Sequence, residues 1–265
     1  VNLALETDGI VLVGHGTRNE TGQKQFLRLA EHLRAAVPVP LETAYIELQS
    51  PSIEETLVRM HDRGPKKIIL SPALLFAAGH AKRDIPAAVA AARSCCPDLQ
   101  VKIAEPLGCH QAVLELAAQR AHAATRPGQQ GNEGQLPPID SSTTLVLIGR
   151  GSSDPEAVAH CRHFAAELAS RLKINRFLTG FIAIAEPSLP AVLEQAAADR
   201  PRQVIVQPHL LFTGEMLEST SAAVQAAQRA YPHILWRQAD VLGSDLLGED
   251  SQAALLVRAL RDRLF

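Results

Sequence analysis

Ile10-Val11-Leu12-Val13 is an unbroken apolar run that stops at Gly14, the pattern of a short strand buried on both faces. From Gln25 to Ala36 the apolar positions are Phe26, Leu29, Ala30 and Leu33, the spacing of an amphipathic helix, and Pro38 stops it. Leu41 to Leu48 mixes β-branched and aromatic residues and reads as a second strand that delivers Glu47 near its end. Ser50-Pro51-Ser52 opens the next helix, with Ser52 and Glu55 spaced as a capping box. Lys66 to Ser71 predicts a third, buried strand, followed by a loop reaching His80 and an alanine-rich helix to about Arg93. Val101 to Ala104 forms a fourth strand before the turn Glu105-Pro106-Leu107-Gly108. Strands alternating with helices predict βαβ units on a parallel sheet.

The plan then repeats. Leu145 to Gly149 matches Ile10 to Gly14 at an offset of 135 (149 − 14), and Glu186-Pro187-Ser188 follows Ser50-Pro51-Ser52 at 136 (187 − 51). Gln203 to Phe212 tracks Lys67 to Phe76 at 136 (208 − 72), and Ala239 to Gly243 echoes Ala104 to Gly108 at 135 (243 − 108). Matched blocks in the same order mark an internal duplication. Between the copies, Thr125 to Thr144 is rich in Gly, Gln and Pro without apolar periodicity. The expected fold is therefore α/β, two tandem Rossmann-like, doubly wound parallel-sheet domains over residues 1–125 and 144–265, with 126–143 as linker.

Composition narrows the partners. The chain has 265 residues, 46 % hydrophobic and 20 % charged, a balance that builds a sizeable core. With 26 Lys+Arg against 28 Asp+Glu, a net charge of −2 gives no electrostatic reason to expect nucleic acid. No apolar stretch approaches the ~18–20 residues that span a bilayer, and the first residues lack a basic region followed by an apolar one, so a cytoplasmic location is expected. Cys95, Cys96, Cys109 and Cys161 make no C-x-x-C pair and read as reduced thiols.

The duplication separates chemistry from scaffold. Pro51/Pro187, Pro72/Pro208, Phe76/Phe212 and Gly108/Gly243 recur and serve turns and packing. His15 becomes Arg150, Glu47 becomes Ala183, and His80 falls opposite Met216 or Glu215. Taken singly, His15 reads equally well as a turn residue and Glu47 as an exposed strand-end carboxylate, while a solvated loop histidine is the lesser alternative for His80. Each, however, lies at or just beyond the carboxyl end of a different predicted strand, which a parallel sheet brings to one rim. Two imidazoles and a carboxylate are a partial ligand set for a borderline divalent cation such as Fe²⁺, Co²⁺, Ni²⁺ or Zn²⁺, with positions left open for exchange. Their joint loss from the second copy favours one shared site. His160 and His163 compete as ligands, but they read as a surface helical face.

Val13-Gly14-His15-Gly16-Thr17-Arg18, Glu47 before Ser50-Pro51-Ser52, and Gly79-His80-Ala81-Lys82-Arg83-Asp84-Ile85-Pro86 together resemble the sirohydrochlorin chelatase family, in its long form with two fused halves. The resemblance implies insertion of a divalent metal, Co²⁺ or Fe²⁺, into the tetrapyrrole sirohydrochlorin. No cofactor would be permanently bound, because the metal enters as substrate. On this reading His15, His80 and Glu47 hold the metal and move protons, Arg18, Lys82 and Arg83 pair with substrate carboxylates, and the chain acts as a monomer with pseudo-twofold symmetry. Two other readings stay open on the residues alone. A metal or tetrapyrrole carrier would use the same ligands, and His15-Gly16-Thr17-Arg18 has some likeness to a histidine phosphatase signature, although Gly14 stands where that family carries arginine.

Overall fold

The computed structural model describes residues 7–76, 79–125, 139, 142–248 and 253–264, with the side chain of His80 outside the described set. Its residues divide into two compact units, Val1–Ala112 with Asp245–Phe265, and Val113–Ser244.

In the first unit, β1 (Gly9–Gly14) is buried along its whole length because it lies between two parallel neighbours. Those neighbours are β2 (Leu41–Tyr45) and β3 (Lys67–Pro72), and β4 (Gln100–Ile103) completes a sheet of order β2-β1-β3-β4. Alternation along the strands sends Val11 and Val13 to one face, where they meet α2 (Ile53–Asp62) and α3 (Gly79–Cys95) through Leu57, Met60, Ile85 and Val89. The segment between β1 and β2 is α1 (Glu20–Ala36), which buries Phe26, Leu29, Ala30 and Leu33.

Three boundaries differ from those read off the apolar pattern. α1 begins five residues before Gln25 (25 − 20), because Asn19 accepts a hydrogen bond from Gly22 N at 2.9 Å and caps a polar first turn. β2 stops at Tyr45 rather than Leu48: the chain turns there, and Leu48 sits in the left-handed region at φ 65. α3 starts at Gly79, so His80 lies in its first turn and not in a loop. The helix runs through the exposed Pro86 because Ile85, Val89, Ala92 and the following Cys96 make one continuous buried face. The capping box of α2 is present as read, with Ser52 N donating to Glu55 Oε2 at 2.8 Å and Glu55 N to Ser52 Oγ at 3.2 Å.

The second unit repeats the plan with β5 (Thr143–Gly149), α5 (Pro155–Leu172), β6 (Arg176–Phe181), α6 (Leu189–Ala198), β7 (Gln203–Pro208), α7 (Glu215–Ala230) and β8 (Leu235–Gln238). Its sheet is ordered β6-β5-β7-β8, again all parallel, and Val146, Ile148, Leu193, Val206 and Trp236 share the core under α6 and α7.

The units depart from the sequence boundary between 125 and 144. α8 (Ala253–Asp262), the last helix of the second repeat, belongs to the first unit and packs on α1. Arg263 beyond it donates to Glu105 Oε2 at 2.7 Å and to Leu107 O at 3.2 Å, and His110 Nε2 lies 3.2 Å from Asp262 Oδ2. α4 (Gln111–Ala123), the last helix of the first repeat, falls almost wholly in the second unit, where Arg120 Nη2 donates to Leu242 O at 2.9 Å. Each unit thus includes the last helix of the other repeat. The expected linker, 126–143, lies almost entirely outside the described residues, and Thr143 already opens β5. Among the described residues no helix is long and apolar enough to cross a membrane.

Leu256 of α8 is 1 % exposed, so Leu256→Ala should cost about 2–5 kcal/mol, read from urea unfolding. Hydrogen exchange should rise in β1 to β4 and leave β5 to β8 protected. Loosening of β5 to β8 alone would refute the placement of α8 in the first unit.

Candidate functional site

Strand order β2-β1-β3 means that the chain leaves β1 toward one side and reaches β3 on the other, so the carboxyl ends of β1 and β3 border a topological switch point, where open α/β sheets bind ligands. His15 follows β1 directly, and α3 opens after β3 with His80 in its first turn. Glu47 follows β2 on the far side of β1.

Backbone bonds hold the two loops together. Ile46 N donates to Gly14 O at 3.0 Å and Glu47 N to His15 O at 3.1 Å, while Ala73 N donates to Val13 O at 2.8 Å. The approach is so close that a Cβ on Gly16 would stand 1.9 Å from Glu47 O, and Gly16 has φ 98, a conformation glycine adopts without strain. With the backbones locked, His15 Nδ1 lies 3.3 Å from Glu47 Oε1. The two side chains are 29 % and 48 % exposed, open to an incoming ligand from the rim. An imidazole beside a carboxylate can bind a borderline divalent cation or carry a proton, and the carboxylate orients the ring for either task.

The structure brings together His15 and Glu47. It places His80 on the same rim by its backbone, with its side chain outside the described residues. Arg18 is exposed between Thr17 and the helix cap Asn19, and Lys82 and Arg83 are exposed near the start of α3. All three cations stand on loops or first turns at the edge that carries His15.

The second unit builds the same corner without the chemistry. Ile182 N donates to Gly149 O and Ala183 N to Arg150 O, both at 3.0 Å. A Cβ on Gly151 would stand 1.8 Å from Ala183 O. Arg150 and Ala183 occupy the positions of His15 and Glu47, so the backbone clamp is the shared feature and the side-chain pair belongs to the first unit alone. His160 and His163 are exposed on α5, whereas Cys161 between them is buried, as expected for a surface helical face.

Two titratable groups stand apart from the rim chemistry. Burial pushes the Tyr45 phenol up, its ring packed 5.2 Å from that of Phe26. His209, a position the sequence pattern passed over, is 4 % exposed and its ring lies 4.1 Å from Phe164. Burial lowers its pKa to about 3, so the ring is neutral through the physiological range. Its counterpart in the first unit is Ala73.

The CbiX family model matches residues 9–124 and again 144–264. The chain belongs to the CbiX family. The sirohydrochlorin ferrochelatase of Priestia megaterium is 31 % identical over 211 residues, covering 79 % of this chain and 75 % of that one. The sirohydrochlorin cobaltochelatase of the same organism is 25 % identical over 235 residues, covering 88 % and 74 %. Among solved structures, SirB from Bacillus subtilis with Fe³⁺ matches with a TM-score of 0.80 at 25 % identity, covering 97 % of this chain and 95 % of that one. The two CbiX matches reproduce the duplication read from the offsets, and both α/β units follow the chelatase fold.

Gly16→Ala should destabilise the protein by roughly 1–3 kcal/mol in urea unfolding, from its positive φ and the clash with Glu47 O. Gly79→Ala, with no described atom within 4 Å, should stay within about 1 kcal/mol of wild type. Equal, negligible effects would contradict the clamp. His209 is neutral in the fold down to about 3 but takes a proton near 6.5 once unfolded, so stability falls as pH drops through that window. Between pH 7.5 and 5 this group should remove about 2 kcal/mol, a loss that His209→Phe abolishes in urea titrations at the two pH values.

Proposed function

We propose that this chain inserts a divalent metal, Fe²⁺ or Co²⁺, into sirohydrochlorin, and that the site is the rim of the first unit. The observation that carries the reading is the pair His15 Nδ1 and Glu47 Oε1, 3.3 Å apart at a switch-point edge. Membership of the CbiX family and relatives named for both metals support the reaction class.

Metal insertion exchanges both inner pyrrole protons for one divalent ion, so the site must deliver a cation and take up protons. Glu47 at Nδ1 selects the ring tautomer in which the Nε2 lone pair of His15 is the basic atom, aimed at metal or pyrrole proton. His80 supplies a second imidazole from the start of α3, and Glu47 is the anionic member of the set. Two imidazoles and one carboxylate bind a borderline cation firmly enough to position it and leave coordination sites for the macrocycle nitrogens. Arg18, Lys82 and Arg83 meet substrate carboxylates in charge-assisted contacts worth about 1.5–3 kcal/mol each where they are desolvated.

The repeats 1–125 and 144–265 act as one monomeric chain in which only the first carries metal chemistry. The reduced thiols expected from the cysteine spacing suit the cytoplasm as its place of work.

His15→Ala, His80→Ala and Glu47→Gln are each expected to lower turnover by roughly 10²–10⁴-fold in a sirohydrochlorin absorbance assay, with the fold unchanged by circular dichroism. Wild-type rates in both histidine variants would overturn the site. A wild-type protein that takes up a single equivalent of metal or macrocycle without turning over would be a carrier instead.

A further inference from the structure

A second group of metal-binding atoms lies at the opposite edge of the first unit's sheet. α2 and α3 run back against the strands and pack on each other, so their carboxyl ends meet at the amino edge, beside Lys66 and the start of β3. There, ligand atoms of His61, Asp62 and Cys96 lie within 4.8 Å of one another. His61 and Asp62 end α2, and Cys96 directly follows α3 with its backbone N bonded to Ala92 O at 2.9 Å. Cys96 is 4 % exposed, and the side chains of His61 and Asp62 are 12 % and 71 % exposed, so two donors are sheltered and the third faces solvent.

His61 is set up as a ligand by its second nitrogen. Nε2 lies 2.7 Å from Asp98 Oδ1 and also 2.7 Å from Lys66 Nζ. One nitrogen cannot donate to the carboxylate and accept from the ammonium together. The ammonium is itself 3.2 Å from Asp98 Oδ2, so the carboxylate takes a bond from each. Nε2 then carries the proton, and the lone pair is on Nδ1. That atom is buried and has no hydrogen-bond partner among the described residues, and Asp62 Oδ1 stands 3.8 Å away. A carboxylate on the far nitrogen of a sheltered histidine is the outer arrangement that metal-bound imidazoles use.

We propose that His61 Nδ1, Cys96 Sγ and the Asp62 carboxylate form an auxiliary site for a thiophilic divalent cation of the Zn²⁺ or Co²⁺ class, separate from the rim that carries His15. Thiolate and imidazole select such ions over Mg²⁺ and Ca²⁺. Ligands of a tetrahedral ion with bonds of about 2.0–2.3 Å stand roughly 3.3–3.8 Å apart, which small side-chain rotations reach from the present spacing. The carboxyl ends of two helices add partial negative charge around the cation. Binding displaces the thiol proton of Cys96 to solvent as the S–metal bond forms, and the fourth position is left to water. The bound ion ties the end of α2 to the end of α3, and this assignment does not depend on the chelatase reading.

Co²⁺ alone, added to the full chain without macrocycle, tests the site by its thiolate-to-cobalt charge-transfer absorption, which the imidazole and carboxylate of His15 and Glu47 cannot produce. The band is expected to saturate at a single equivalent in His15→Ala, to reach the same height in wild type once Co²⁺ exceeds what the rim also takes up, and to vanish in Cys96→Ser and His61→Ala. Asp98→Asn should keep the band while weakening affinity roughly 10–100-fold. Absence of the band in wild type, or an undiminished band in His61→Ala, would overturn the proposal. His61→Ala decides the matter even where Cys96→Ser fails to fold.

Discussion

The close approach of two backbones at the carboxyl rim is the constraint on which the rest of the first unit's site depends. Ile46 and Glu47 donate to the carbonyls of Gly14 and His15, and only a hydrogen at the α-carbon of Gly16 fits beneath Glu47 O. Side chains at 15 and 47 have little choice but to meet. Most of the cost of orienting them is borne by the sheet register, which aligns Gly14 with Tyr45 across β1 and β2. The same clamp recurs at Gly151 and Ala183, where it holds no chemistry. Because backbone fixes the geometry whatever side chains it carries, the scaffold persists in both units while the His15–Glu47 pair occurs in one.

A second constraint concerns how each sheet is covered. In the first unit α8 packs on α1 and buries Leu256 and Leu260. α4 falls almost wholly in the other unit, tied to it by the bond from Arg120 to Leu242 O. Exchange of terminal helices makes the stability of each unit depend on the full chain, even though the sequence divides cleanly into two repeats. The first unit therefore cannot be equated with residues 1–125, because its core includes residues beyond 245.

The two edges of the first sheet have opposite electrostatic character. Strand ends and helix starts point amide hydrogens at the rim, which suits anionic groups, and the exposed Arg18, Lys82 and Arg83 stand at that edge. Helix ends at the amino edge gather carbonyls, carboxylates and a buried thiol, which suits a cation. Because helices run antiparallel to strands in every βαβ unit, this polarity is a property of the fold, and the side chains at each edge follow it.

Local and periodic features were legible in the sequence by itself. Apolar runs marked the buried strands because a strand flanked by neighbours on both sides has no polar face, and the near-constant offset marked the duplication. The capping box of α2 and the motif around His15 are likewise short-range, and so is the placement of three candidate residues after three different strands. Boundaries that rest on caps and turns were less legible: Asn19 starts α1 before any apolar residue marks it, and the left-handed Leu48 lies beyond the end of β2 without a glycine to announce the turn. The exchange of α4 and α8, the burial of His209 and the meeting of His61 with Cys96 were decided only by tertiary structure. Each joins residues whose separation along the chain follows no period, and only packing, which sees the whole sheet at once, determines which distant surfaces meet.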